Sequence, residues 1–199
     1  MPKISRVELH RSSEIPAPAS EVWALLGDWA GMLRWWPTAD QGAPPGPKLV
    51  KCDLVGEHGA VPRMRRMTLD NGVVIEERIF YQSDEARRIY YTKTEPAASQ
   101  LSGYLASAYV DEIDGHTCMM HFSSWFDARA ASSAAAVRFE AIYQAIFDGF
   151  RNYFSKTVNS RNQPTRALLR RARADGPKGC PASGSTASAK LRYSRLRAT

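Results

Sequence analysis

Two residues of opposite charge stand where a strand-rich stretch should be apolar. Arg65 lies in the run 61–69 and Glu77 in the run 73–81, with Asp70-Asn71-Gly72 between them. If that loop has three residues with Gly72 in the left-handed conformation, Leu69 faces Val73 and Arg65 faces Glu77. Both charges then share the phase of Met67, Leu69, Val73, Ile75 and Ile79 and point inward. If Asn71-Gly72 instead forms a two-residue turn, Glu77 faces Arg66. An inward Arg and carboxylate can orient a polar ligand group, with Glu77 as a general base. They can equally close on each other as an ion pair that satisfies only itself. Glu77 and Arg65 are the candidate catalytic residues.

Tyr91 and Tyr104 have phenols that can donate to a carbonyl or pass a proton, or serve as core rings. The phases Ile89/Tyr91/Lys93 and Tyr104/Ala106/Ala108/Val110 point them inward, and the small alanines leave room for a guest. His116 falls in a turn and His121 in the opposite phase from the inward set, so a base role for either needs a partner the sequence does not place, and His58, in a loop, is unassigned. There is no Ser/His/Asp or Cys/His arrangement and no phosphate-cradling glycine loop. Cys52, Cys118 and Cys180 are too far apart for metal-site spacing and too few for a disulfide scaffold. No cofactor and no metal is expected.

The elements that must position these groups follow from periodicity. Residues 3–15 suit a strand entering a turn at Pro16 and Pro18. Pro18 can open a short helix with Val22, Leu25 and Leu26 on one face, stopped by Gly27. A second short helix spans 29–36 before Pro37, and 42–47 is a Gly/Pro loop. The period then becomes two over 48–55, 61–69, 73–81, 88–95, 103–113 and 117–126, with turn residues between. Phe139, Ile142, Tyr143, Ile146, Phe147, Phe150 and Phe154 finally recur at helical steps, opposite Arg138, Gln144, Asp148 and Arg151. The expected fold is α+β: a curved seven-stranded antiparallel sheet wrapped around a long C-terminal helix, with two short helices after the first strand. Such a layer pair can enclose a mostly apolar pocket.

The run Ile15-Pro16-Ala17-Pro18-Ala19, then Glu21-Val22-Trp23-Ala24-Leu25-Leu26, Gly27-Asp28-Trp29 and Trp36-Pro37, resembles the helix-grip superfamily. This superfamily, also called SRPBCC, includes START lipid-transfer domains, the birch pollen allergen and the bacterial polyketide cyclase/dehydrase group. Gly59, Arg65, Gly72, Glu77-Arg78-Ile79, Tyr91, Tyr104 and Phe126 extend the likeness over about 3–155. The resemblance implies a cavity for a hydrophobic or aromatic, lipid- or polyketide-like small molecule. The superfamily holds both enzymes and carriers, so cyclase/dehydrase-type acid/base chemistry and a non-catalytic lipid carrier or ligand sensor both stay open. Trp36, Tyr91, Tyr104, Phe122, Phe126, Tyr143 and Phe147 are the expected ligand-binding residues. The group often carries a Trp four residues before the strand-final Phe; here Phe122 precedes Phe126, which keeps a ring and loses an indole donor.

The chain has 199 residues and a formal net charge of +7 from 27 Lys+Arg and 20 Asp+Glu. Eleven of those bases and one acid fall between Lys156 and Thr199, which leaves 16 bases and 19 acids before them. The expected organisation is therefore a slightly acidic ligand-binding domain, 1–155, and a basic disordered tail, 156–199. The domain has no charge excess for groove binding of nucleic acid, whereas the tail suits an anionic surface. With no apolar leader and no ~18-residue apolar run, a cytoplasmic location is expected.

Overall fold

Wherever apolar residues alternate with polar ones the chain is extended, giving seven strands: β1 (Ser5–Ile15), β2 (Leu49–Val55), β3 (Arg63–Leu69), β4 (Val74–Ser83), β5 (Arg88–Lys93), β6 (Leu101–Glu112) and β7 (Cys118–Ala128). The computed structural model describes residues 4–38, 43, 46–57, 60–94, 101–128 and 132–161. His58, Gly59 and the basic tail beyond residue 161 lie outside the described residues. The strands form one antiparallel sheet in the order β1-β7-β6-β5-β4-β3-β2. Strands β2 to β7 are thus a meander, and β1 closes onto the last of them. Register shifts at Leu49/Lys51, Ile79/Tyr81 and Ser102/Leu105 bend the strands.

Helix α1 is Ala19–Gly27, followed by a 3-10 helix, Trp29–Arg34, and much later by α2, Ser132–Arg161. Pro18 stands one place before α1 rather than inside its first turn. Its extended backbone (φ −56°, ψ 140°) turns the carbonyl toward the amides of Glu21 and Val22, at 3.0 and 3.1 Å. Asp28 starts the 3-10 helix by accepting from the Gly31 amide at 3.2 Å. The last strand continues two residues past Phe126 to Ala128, and α2 runs beyond residue 155 to Arg161.

Every second residue of β7 from Cys118 to Phe122, then Ser124, Phe126 and Ala128, is buried on the face that α2 covers. From β6 the same face receives Tyr104, Ala106, Ala108 and Val110. The helix supplies Tyr143, Ile146, Phe147, Phe150 and Phe154, all buried. Fully burying one such ring contributes about 2–3 kcal/mol, which is why the wide aromatic stripe fixes the helix to this face. The polar side is tied down as well: Arg151 donates to Asp148 at 2.7 Å and to the carbonyl of Glu14 on β1 at 3.3 Å.

One contact limits how the short helices meet α2. Gly149 faces the turn that ends the 3-10 helix, and a Cβ there would press into the carbonyl oxygen of Trp35, with Pro37 Cδ at 3.3 Å. Only hydrogen allows that approach. Gly149→Ala is expected to destabilise the fold by about 1–3 kcal/mol. Gly115→Ala should be nearly neutral, since nothing lies within 4 Å of its added Cβ. Urea unfolding of both variants checks this.

Candidate functional site

The loop after β3 takes the three-residue form. Gly72 has φ +82°, its amide donates to Leu69 at 2.9 Å, and the Leu69 amide donates to Val73 at 2.9 Å. Arg65 therefore pairs directly with Glu77 across the two strands, and both are buried at 8% exposure. Arg65 Nε donates to Glu77 Oε2 at 3.1 Å and Nη2 donates to the same oxygen. The pair is closed. Met67 and Ile79 are buried in the same phase, whereas Val73 is exposed, because β4 begins only at Val74.

The pair is also roofed. The Arg65 guanidinium lies 3.8 Å from the ring centre of Trp29, on the 3-10 helix, and Trp29 meets Tyr91 edge-on at 4.8 Å. Cys52 of β2 donates its thiol to the Trp29 carbonyl at 3.2 Å. Burial pulls the Arg65 value down, but the Glu77 carboxylate, helped by Tyr91, raises it overall. The cation is therefore permanent, held under a flat indole face.

From there a file of rings crosses the sheet beneath α2. Tyr91 lies 6.4 Å from Tyr104, and Tyr104 stacks with Phe126 at 6.0 Å and with Phe139 at 5.3 Å. Phe122 stacks with Tyr143 at 5.4 Å and meets Phe147 edge-on at 5.9 Å. Six of the seven expected ligand-binding residues thus line one interior. Burial, and then Glu77, push the Tyr91 phenol well above its ordinary value; burial with Tyr91 and Tyr143 does the same for Tyr104. Burial lifts Tyr143 to about 12, against smaller opposing interactions with Ser124 and Tyr104. All three remain donors at neutral pH.

Trp36 is placed elsewhere. It is half-buried and lines a cleft of about 420 Å³ between the end of the 3-10 helix and the C-terminal half of α2. Phe147 reaches a second cleft of about 400 Å³, between Arg11–Ser13 of β1 and α2, which contains none of the other expected ligand-binding residues. Both clefts flank the ring file. Among the histidines, His116 is exposed in its turn. His121 faces the outer side of the sheet, stacked on Tyr109 at 4.2 Å, with Nε2 3.4 Å from Asp111 Oδ2. Neither approaches Glu77. Among the described residues, no group of three His, Cys, Asp or Glu side chains could hold a metal ion, and no helix is long and apolar enough to cross a membrane.

Trp29, known from the sequence only as part of the resemblance, and Ser124 were not among the expected site residues. Ser124 was visible in principle, since it shares the inward phase of Phe122 and Phe126 as a polar residue in an apolar series. Trp29 carries no such signal, because its partners Arg65 and Tyr91 are distant in sequence. Both matter for one reason. Trp29 Nε1 is sealed from solvent with no hydrogen bond among the described residues, and Ser124 Oγ and Tyr143 Oη have only weak contacts with each other and, for Tyr143, with Tyr104. An unpartnered buried group costs about 1–3 kcal/mol unless something supplies its partner.

A meander sheet, a paired short-helix entry and a long helix over the concave face define a helix-grip domain. The chain belongs to the polyketide cyclase/dehydrase and lipid transport family, whose model matches residues 6–155. Among solved structures it is similar to the Zhui aromatase/cyclase of Streptomyces sp. R1128, at 19% identity and TM-score 0.55, covering 79% of this chain and 96% of that one. Norcoclaurine synthase of Thalictrum flavum, solved with dopamine and hydroxybenzaldehyde, is similar at 18% identity and TM-score 0.56, covering 77% and 88%. A Thermobifida fusca protein shares 25% identity at TM-score 0.55, covering 73% and 92%. No curated protein matches the chain.

Two outcomes test this geometry. Arg65→Met leaves a buried carboxylate without its cation and is expected to cost about 3–5 kcal/mol, while adding Glu77→Leu should recover most of the loss in chemical denaturation. Tyr143 rises from 10.0 when unfolded to about 12 when folded. Both states hold its proton below pH 10, and only the unfolded state loses it just above. Stability should therefore hold up to about pH 10 and fall as pH rises toward 12, less steeply in Tyr143→Phe.

Proposed function

We propose that this domain binds a small molecule with an apolar, aromatic body and several oxygen atoms in the interior between its sheet and α2. The observation that carries this reading is Trp29 Nε1, buried in an otherwise apolar ring file without a partner among the described residues, near Tyr143 Oη and Ser124 Oγ, whose only contacts there are weak ones with each other and Tyr104. Carbonyl or phenol oxygens of a polyketide-like guest would supply the missing partners, and flat rings would stack within the file. The family description and the aromatic molecules held by norcoclaurine synthase point to the same ligand class.

Binding without chemistry is the reading favoured by the closed Arg65–Glu77 pair, because the carboxylate oxygen engaged twice by the guanidinium is not free to reach a ligand. Cyclase/dehydrase-type chemistry is the second reading. It is favoured by Tyr91, a phenol kept protonated beside that carboxylate. In that case Tyr91 would polarise a ligand carbonyl while Glu77, released from Arg65 by the ligand, removed a neighbouring proton.

Titration of the full chain with 1,8-dihydroxyanthraquinone and with palmitate, followed by thermal shift, checks the binding. The quinone is expected to raise the melting temperature with saturation, and Trp29→Phe or Tyr143→Phe to weaken it roughly tenfold, the value of one hydrogen bond. No saturable shift with either probe, together with no co-purifying small molecule in native mass spectrometry of protein from its own host, would sink the reading. Turnover of a polyketide substrate that survives in Glu77→Gln would remove Glu77 from any chemistry.

A further inference from the structure

The cleft between the 3-10 helix and the C-terminal half of α2 is not part of the ring file. Its lining consists of Arg34, Trp35, Trp36, Gly149, Asn152, Tyr153, Lys156 and Thr157. Three of these are aromatic and none is acidic. Arg34 has its charge taken by Asp28, so it contributes stem rather than charge. Lys156 is exposed and makes no ion pair among the described residues, which leaves one cation on the rim.

A second observation points to a ligand. Trp35, which lines this cleft and is 6% exposed, buries an Nε1–H that has no acceptor among the described residues. The ring is held tightly, 4.6 Å from Phe150 and 6.0 Å from Trp36. Gly149 fixes the same wall by admitting the Trp35 carbonyl against the helix. A rigid donor, a free cation and half-buried rings at Trp36 and Tyr153 together complement a flat molecule with an anionic oxygen group. At about 420 Å³ the cleft suits one or two fused rings, since small-molecule sites begin near ~300 Å³.

We infer that this cleft is a second binding site, for a small aromatic carboxylate, with its ring against Trp36 and Tyr153 and its oxygens taking the Trp35 Nε1–H and the Lys156 ammonium. The site is independent of the interior one, because no residue of the Arg65–Glu77–Tyr91 group lines it.

The test is an NMR titration of the full nitrogen-15-labelled chain with 2-naphthoate, reading the indole Nε1–H signals of its five tryptophans, assigned with Trp29→Phe and Trp35→Phe. The Trp35 signal should move with saturation. Neutral 2-naphthamide and the Lys156→Gln variant should each bind roughly tenfold more weakly, the scale of one charge-assisted hydrogen bond. A stationary Trp35 signal overturns the inference, as does a shift of equal affinity for amide and carboxylate or one unchanged in Lys156→Gln. Movement of the Trp29 signal alone places the probe in the interior, which overturns this site while supporting the other.

Discussion

A charged pair inside a small sheet is a demanding constraint, and much of this domain is arranged around Arg65 and Glu77. Neither charge can leave water unless its partner sits directly across the strand, so the β3–β4 register is fixed by the pair as much as by the turn. The left-handed Gly72 makes that register possible. Once the guanidinium is inward, its flat face needs cover, and Trp29 supplies it. That contact helps seat the 3-10 helix, whose C-terminal end reaches the one position of α2 that has no side chain, Gly149. A single buried interaction thus links the middle of the sheet to the placement of the C-terminal helix.

The same interior is polar in an uneven way. Arg65 and Glu77 satisfy each other, and Arg63 reaches Gln82 at 2.9 Å. Against these stand Trp29 Nε1, unpartnered among the described residues, and the weakly bonded Tyr143 and Ser124 hydroxyls. A core evolved only for stability would replace such groups with apolar atoms of equal volume, because an unpaired buried donor is a net loss. Their presence in this core is a cost that stability alone does not explain. Protonated phenols at Tyr91, Tyr104 and Tyr143 add hydrogen-bond donors to this core, while the Arg65 cation is already engaged by Glu77.

Periodicity in the sequence determined the architecture: the period-two runs became the strands, and the helical recurrence of Phe139 to Phe154 became α2. Alternation also oriented Tyr91, Tyr104, Phe122 and Phe126 inward and His121 outward, because side-chain direction in a strand is a local consequence of the pleat. The two readings of the Asp70–Gly72 loop could not be separated by sequence, since both keep an acceptable hydrophobic pattern. Tertiary structure decided between them, closing Arg65 on Glu77 and exposing Val73. It also decided that Trp29 roofs the pair, that Trp36 belongs to a separate cleft, and that Trp29 Nε1 has no partner among the described residues. The reason is general: strand phase is set by neighbours in sequence, whereas hydrogen-bond satisfaction depends on atoms brought together from β2, β4, β7 and both ends of the chain's helices.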